Sequence, residues 1–122
     1  MRTEELEKIA RKRKLDLVLV ADQANIRALT GINCDNAVLE VSRFRGFEVL
    51  KFGVALYTDF RYIPMVRRIA PKLKCRDIKR FGPGKKTVGV GASRPRRIGY
   101  ESTIPHARFL EWQKKFPKAK FV

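Results

Sequence analysis

Few side chains in this sequence have the types and spacing that chemistry requires, and the most suggestive lie in ALYTDFRYIPMVRR, Ala55 to Arg68. An apolar run stops at Thr58 and Asp59, and a basic stretch begins at Arg61. A carboxylate that closes a strand just before a helix often belongs to a catalytic or phosphate site. It serves equally well as a turn clasp, accepting the backbone N–H groups of Arg61 and Tyr62. No second carboxylate, metal ligand or nucleophile adjoins it, so Asp59, Arg61 and Tyr62 read as a structural clasp and not a catalytic site.

The other candidates are weaker. His106, the single histidine, follows Pro105 and lacks the H-x-x-x-H or H-E-x-x-H partner a metal centre needs. Cys34 and Cys75 fall outside any C-x-x-C pattern, and no G-x-S-x-G elbow is present. The stretch GPGKKT, Gly82 to Thr87, resembles a phosphate loop only superficially. Its glycines stand too close together and a second lysine intervenes. GVGAS lacks the third glycine and the following helix of a dinucleotide fingerprint. The sequence therefore offers neither a metal ligand set nor a catalytic residue.

Charge is the strongest compositional feature. The 122 residues carry a net charge of +16, with 28 Lys and Arg against 12 Asp and Glu. Residues 1–60 are nearly balanced, and residues 61–122 hold eighteen bases against three acids. Nucleic acid is the usual partner of such a surface, and Lys85, Lys86, Arg94, Arg96 and Arg97 form the candidate basic patch. The same asymmetry fits a piece of a larger protein whose remainder supplies the acids. The aromatics fall mostly at core spacings, so the nucleic-acid binding expected is weak and blind to sequence. The lack of an eighteen-residue apolar stretch argues against a membrane partner, and the lack of an apolar leader against secretion. With two unpaired thiols this points to a cytoplasmic location.

Residues 3–14 predict a helix with Thr3 as its cap and Leu6, Ile9, Ala10 and Arg13 on one face. LDLVLVAD predicts a strand buried on both faces, and QANIRALTG a short helix closed by Gly31. AVLEVS and GVALYT predict two strands joined antiparallel through RFRG. Pro64 places the next helix start near Arg61 to Ile63, with Tyr62, Met65, Val66 and Ile69 on its apolar face. KCRDIKRF predicts an edge strand, Gly82 to Arg97 a loop, and IGYES a further strand. A last helix follows, capped by Ser102 or Thr103 and burying Phe109, Gln113 and Phe116 with Leu110 and Trp112 flanking, and AKFV opens another extended segment. Alternating strands and helices with one antiparallel excursion give an α/β layer fold on a mixed sheet.

Several of these segments resemble one family in order and spacing. TDFRY is similar to the Thr-Asp-Gly-Arg-Tyr signature of the N-terminal domain of the creatinase, aminopeptidase P and prolidase family. Asn25, Thr30 and Gly31 match its Asn-x-x-Tyr-Leu-Thr-Gly segment, and IGYES its Ile-Gly-Phe-Glu strand. RFLEWQKKFPKAKFV resembles its closing helix and strand. Ala28 and Phe60 depart from it, standing where the family has Tyr and Gly, and a basic glycine-rich segment replaces a helix.

The resemblance implies a three-layer α/β/α, ribonuclease-H-like fold with a mixed sheet of about five strands, residues 1–122 forming one domain. It implies an accessory domain of an Xaa-Pro metallopeptidase, without catalysis of its own. The active site, with two divalent metal ions (manganese, cobalt or zinc), would lie on a separate C-terminal domain absent from this chain. Such domains support a homodimer and help enclose the active site. The resemblance further implies that the loop Gly31 to Asn36 reaches a peptide substrate in the partner subunit, with Asn33 and Asp35 best placed to touch it. The alternative on the same fold is a basic binding module for nucleic acid or an acidic protein.

Overall fold

The computed structural model describes residues 3–43, 52–82 and 96–122. Its first helix, α1 (Glu4–Arg13), carries Glu4, Glu5 and Glu7 in the first turn and Arg11, Lys12 and Arg13 in the last, matching the helix dipole at both ends. Thr3 does not cap it by its side chain, as predicted, but through its carbonyl, which accepts from the Glu7 N–H. Of the predicted face Ala10 is buried and Leu6 half-buried, whereas Ile9 and Arg13 are exposed. Lys14, in the left-handed region at φ 56°, turns the chain into β1 (Leu17–Val20), whose four residues are all buried.

Asp22 caps α2 (Gln23–Thr30) by accepting from the N–H groups of Ala24 and Asn25. Gly31 ends that helix at φ 78°, a conformation in which a Cβ is disfavoured. The antiparallel pair predicted from AVLEVS and GVALYT is β2 (Val38–Arg43) with β3 (Phe52–Thr58). The predicted RFRG turn between them lies outside the described residues.

A 3-10 turn (Phe60–Tyr62) precedes α3 (Ile63–Ile69), which starts where Pro64 requires. Val66 is buried and Tyr62 and Met65 pack against the core, but Ile69 is exposed and not part of the buried face. β4 (Lys74–Asp77) takes the sheet edge and runs into a second 3-10 turn (Ile78–Arg80).

β5 (Arg97–Tyr100) packs Gly99 so close to Leu15 that a Cβ there would lie 2.7 Å from the Leu15 Cδ1. In α4 (His106–Lys115) the N-cap is Pro105, and neither Ser102 nor Thr103 caps it. Its buried stripe is Trp112 with Phe116, and Gln113 is exposed. β6 (Lys120–Phe121) is the extended segment expected from AKFV, and with it the sheet, expected at about five strands, has six.

The strand order is β4-β3-β2-β1-β5-β6. Only β2 runs against its neighbours; the other pairings are parallel. Side chains of α1, α2 and α3 (Ala10, Ile26, Val66) pack on one face over Val18, Leu39, Val41 and Leu56. On the other face Trp112 of α4 and Phe116 at its C-cap cover Leu17, Leu19, Val38 and Ile98. Both sides of the sheet are thus covered, which gives the three layers.

Candidate functional site

Five of the predicted site residues, Asn33, Asp35, Asp59, Arg61 and Tyr62, lie at the end of the sheet where β1 and β3 finish. Asp59, following β3, accepts the Arg61 N–H at 3.0 Å, and its carboxylate also pairs with the Arg61 guanidinium at 3.0 Å. The Tyr62 N–H goes to the Asp59 carbonyl, not to the carboxylate as predicted. The Arg61 backbone N–H and then its guanidinium hold the Asp59 carboxyl below the usual carboxylate range. Asparagine keeps the acceptor for that N–H and leucine keeps neither contact, so Asp59→Leu should melt below Asp59→Asn, and both below the wild type. Identical thermal unfolding of the wild type and Asp59→Leu would remove the clasp.

The loop from Gly31 to Asn36 lies at the same end. The Asn33 Oδ1 accepts from the Gln23 amide at 2.6 Å, and both residues border an open depression of about 640 Å³ with Ala24, Arg27 and Ala28. The Asp35 carbonyl accepts from the Thr58 hydroxyl; the Arg61 pKa is raised first by Asp59 and in small part by the exposed Asp35 carboxylate. Asn36 adopts φ 47° and receives a long 3.5 Å contact from Arg108.

The described part of the basic patch is at the opposite end. Arg96 and Arg97 donate their backbone N–H groups to the Asp16 carboxylate at 2.9 and 3.3 Å, and Asp16 also pairs with Arg43. Lys85, Lys86 and Arg94 lie outside the described residues.

Neither cysteine is built for nucleophilic chemistry. Burial pushes both thiols up, that of Cys34 against the pull of the Thr58 hydroxyl, and a protonated thiol is a poor nucleophile. Among the described residues no three His, Cys, Asp or Glu side chains converge as a metal site would require, and His106 is exposed. No helix among them is long and apolar enough to cross a membrane.

Two groupings escaped sequence reasoning. Glu101, after β5, accepts the N–H groups of Ala21 and Asp22 at 2.6 and 2.9 Å, and its second oxygen accepts from the Asn25 amide. Thr103 donates to the same Asp22 that caps α2. Four hydrogen bonds thus tie the β1–α2 connection to the segment after β5.

The second is Glu40, in the middle of β2, only 2% exposed and with its Oε1 lacking a hydrogen-bond partner. Burial pushes its carboxyl up to about 7, against the pull of the Tyr57 hydroxyl and the Arg76 guanidinium. The Tyr57 hydroxyl is pushed up to about 12 by the same burial and by the Glu40 charge. The alternation of AVLEVS was the available signal, because it sets Glu40 between Val38 and Ser42 on one face.

A family model described as the creatinase/prolidase N-terminal domain matches residues 2–122. The chain belongs to this family. The fold of this creatinase/prolidase N-terminal domain is shared by solved structures at low identity. The N-terminal domain of the cytoplasmic peptidase PepQ from Mycobacterium tuberculosis H37Rv is 22% identical, with a TM-score of 0.74 over 99% of this chain and 90% of that one. The creatinase/prolidase N-terminal domain of an X-Pro dipeptidase from Streptococcus pyogenes is 15% identical, at 0.73 over 98% and 95%. The prolidase from Pyrococcus furiosus is 19% identical, at 0.71 over 99% of this chain but only 34% of its own length. No curated protein matches the sequence significantly.

Proposed function

We propose that this creatinase/prolidase N-terminal domain is the non-catalytic accessory domain of an Xaa-Pro aminopeptidase- or prolidase-like metallopeptidase of the cytoplasm. In this reading it supports a homodimer and helps enclose an active site, with its two divalent metal ions, carried by a separate C-terminal domain. The observation that carries the reading is coverage: essentially the whole chain aligns with about a third of the Pyrococcus furiosus prolidase. Asp59, Arg61 and Tyr62 are then scaffold. Asn33 and Asp35, on an exposed loop at the strand ends, are the side chains that reach the peptide, Asp35 drawing in its N-terminal amine.

The test compares the 122-residue chain with the product of the complete gene, each supplied with manganese, cobalt or zinc and assayed on di-, tri- and longer Xaa-Pro peptides. The expected result is turnover by the gene product and none by the chain. Asn33→Ala and Asp35→Ala in the gene product should change kcat/KM in a manner that depends on peptide length. Turnover by the chain alone, or a gene product inert on every peptide, overturns the accessory-domain reading. Kinetics unchanged at every length reduce the loop to a connector.

A further inference from the structure

Beside the loop, a cleft of about 490 Å³ opens between the 3-10 turn Ile78–Arg80 and α4. Its inner wall is apolar, formed by Ile78, Phe81 and Trp112. Its rim carries Lys79, Arg108 and Lys115 against one acid, Glu111, and none of the four forms an ion pair among the described residues. Lys115 uses one ammonium proton on the Phe81 carbonyl, which leaves two others, and the Arg108 contact to Asn36 is long. A recess of this size accepts one large side chain, and a rim of three cations against one acid, with Asp59 near Lys79, keeps a net positive charge that favours carboxylates around it.

We propose that this cleft docks an acidic peptide segment of a partner protein, one large aliphatic side chain entering the recess and flanking Asp or Glu residues meeting Lys79, Arg108 and Lys115. Nucleic acid fits the rim charge but not the wall. Phe81 and Trp112 line the cleft but are only 4% and 1% exposed, so neither offers an open ring face on which a base could stack. A flat polyanion would therefore gain only screened surface contacts, whereas a peptide side chain also displaces water from the recess. The inference is independent of whether a catalytic domain follows this one.

Trp112 is the single tryptophan of the chain and lines the cleft, so its fluorescence reports occupancy directly. The probes are a synthetic peptide of Asp and Glu around one central Leu, the same peptide with Ala at the centre, and a single-stranded oligothymidine. Each is titrated into the 122-residue chain at about 0.15 M salt. The Leu peptide should bind saturably, the Ala peptide several-fold more weakly, and the oligonucleotide more weakly still. Arg108→Glu and, independently, the exposed Lys79→Glu should each weaken the Leu peptide by about tenfold. Arg67→Glu, on α3 beside a different depression, should change it less than about twofold. Circular dichroism establishes that each variant is folded. The proposal is overturned by absence of saturation, by equal weakening from Arg67→Glu and Arg108→Glu, or by the oligonucleotide binding as tightly as the peptide.

Discussion

Replacing Glu40 by glutamine should stabilise the protein by roughly 3 kcal/mol near pH 8 and change little near pH 4. In the folded state the Glu40 carboxyl holds its proton up to about pH 7, whereas an unperturbed glutamate releases it near 4.5. The folded-state pKa is the higher one, so the contribution of this proton is fully present below about 4.5. It is lost as the pH rises through about 7, where the core must accommodate a bare carboxylate. The interval between the two values, at about 1.4 kcal/mol for each pH unit, sets the magnitude. Glutamine keeps the size and an acceptor for the Tyr57 hydroxyl while removing the charge. Urea unfolding of both proteins at about pH 4.5, 6 and 8 isolates the effect, because the large positive charge acts on both alike. A stability difference that does not grow with pH, or a glutamine variant weaker than wild type at pH 8, would show that Glu40 is ionised comfortably in place.

The other large effect is expected at Glu101. Alanine there removes three accepted hydrogen bonds at once and leaves the N–H groups of Ala21 and Asp22 without an acceptor at a part-buried site. Each unsatisfied donor costs on the order of 1–3 kcal/mol, and two of them at a site that water partly reaches put Glu101→Ala in the lower part of the summed range, roughly 2–4 kcal/mol. For a domain of this size that is a drop of about 10 °C in Tm. Glutamine keeps the oxygen that accepts both N–H groups, and the Asn25 amide can turn to meet the new donor, so Glu101→Gln should lose about 1 kcal/mol or less. Hydrogen exchange at the Ala21 and Asp22 amides should accelerate in the alanine variant and hardly change in the glutamine one. An alanine variant that melts with the wild type, its amides still protected, would mean that these bonds are replaced by water without loss.

Much of the fold was legible because its signals are local. Pro64 fixed the start of α3, Gly31 the end of α2, and the continuous apolar run from Leu17 to Val20 the central strand, each from chemistry within a few residues. The failures have one physical character. Gln113 was expected inward from a spacing of four after Phe109, but α4 begins at His106 and rests on the sheet through Trp112 and Phe116. Spacings of three and four are equally helical, and the sheet beneath selects between them. Ile9 and Ile69 are apolar and exposed for a related reason, since each lies on a flank that its helix does not turn toward the sheet.

Short motifs in fixed succession carried the family and the layer order. The sequence by itself also determined the charge, +15 of it in the second half, without saying where on the surface that charge would fall. Only the tertiary structure decided which polar groups meet. Glu101 stands 80 residues from Ala21, and no local pattern encodes that a carboxylate after β5 closes the turn after β1. Glu40 is buried because α4 covers the second face of the sheet, and that burial pushes its carboxyl up to about 7. The cleft likewise exists only because the 3-10 turn after β4 and the first turns of α4, some thirty residues apart, are brought side by side across the sheet end. Periodicity and capping are fixed by neighbours along the chain. Desolvation and long-range hydrogen bonds are fixed by neighbours in space.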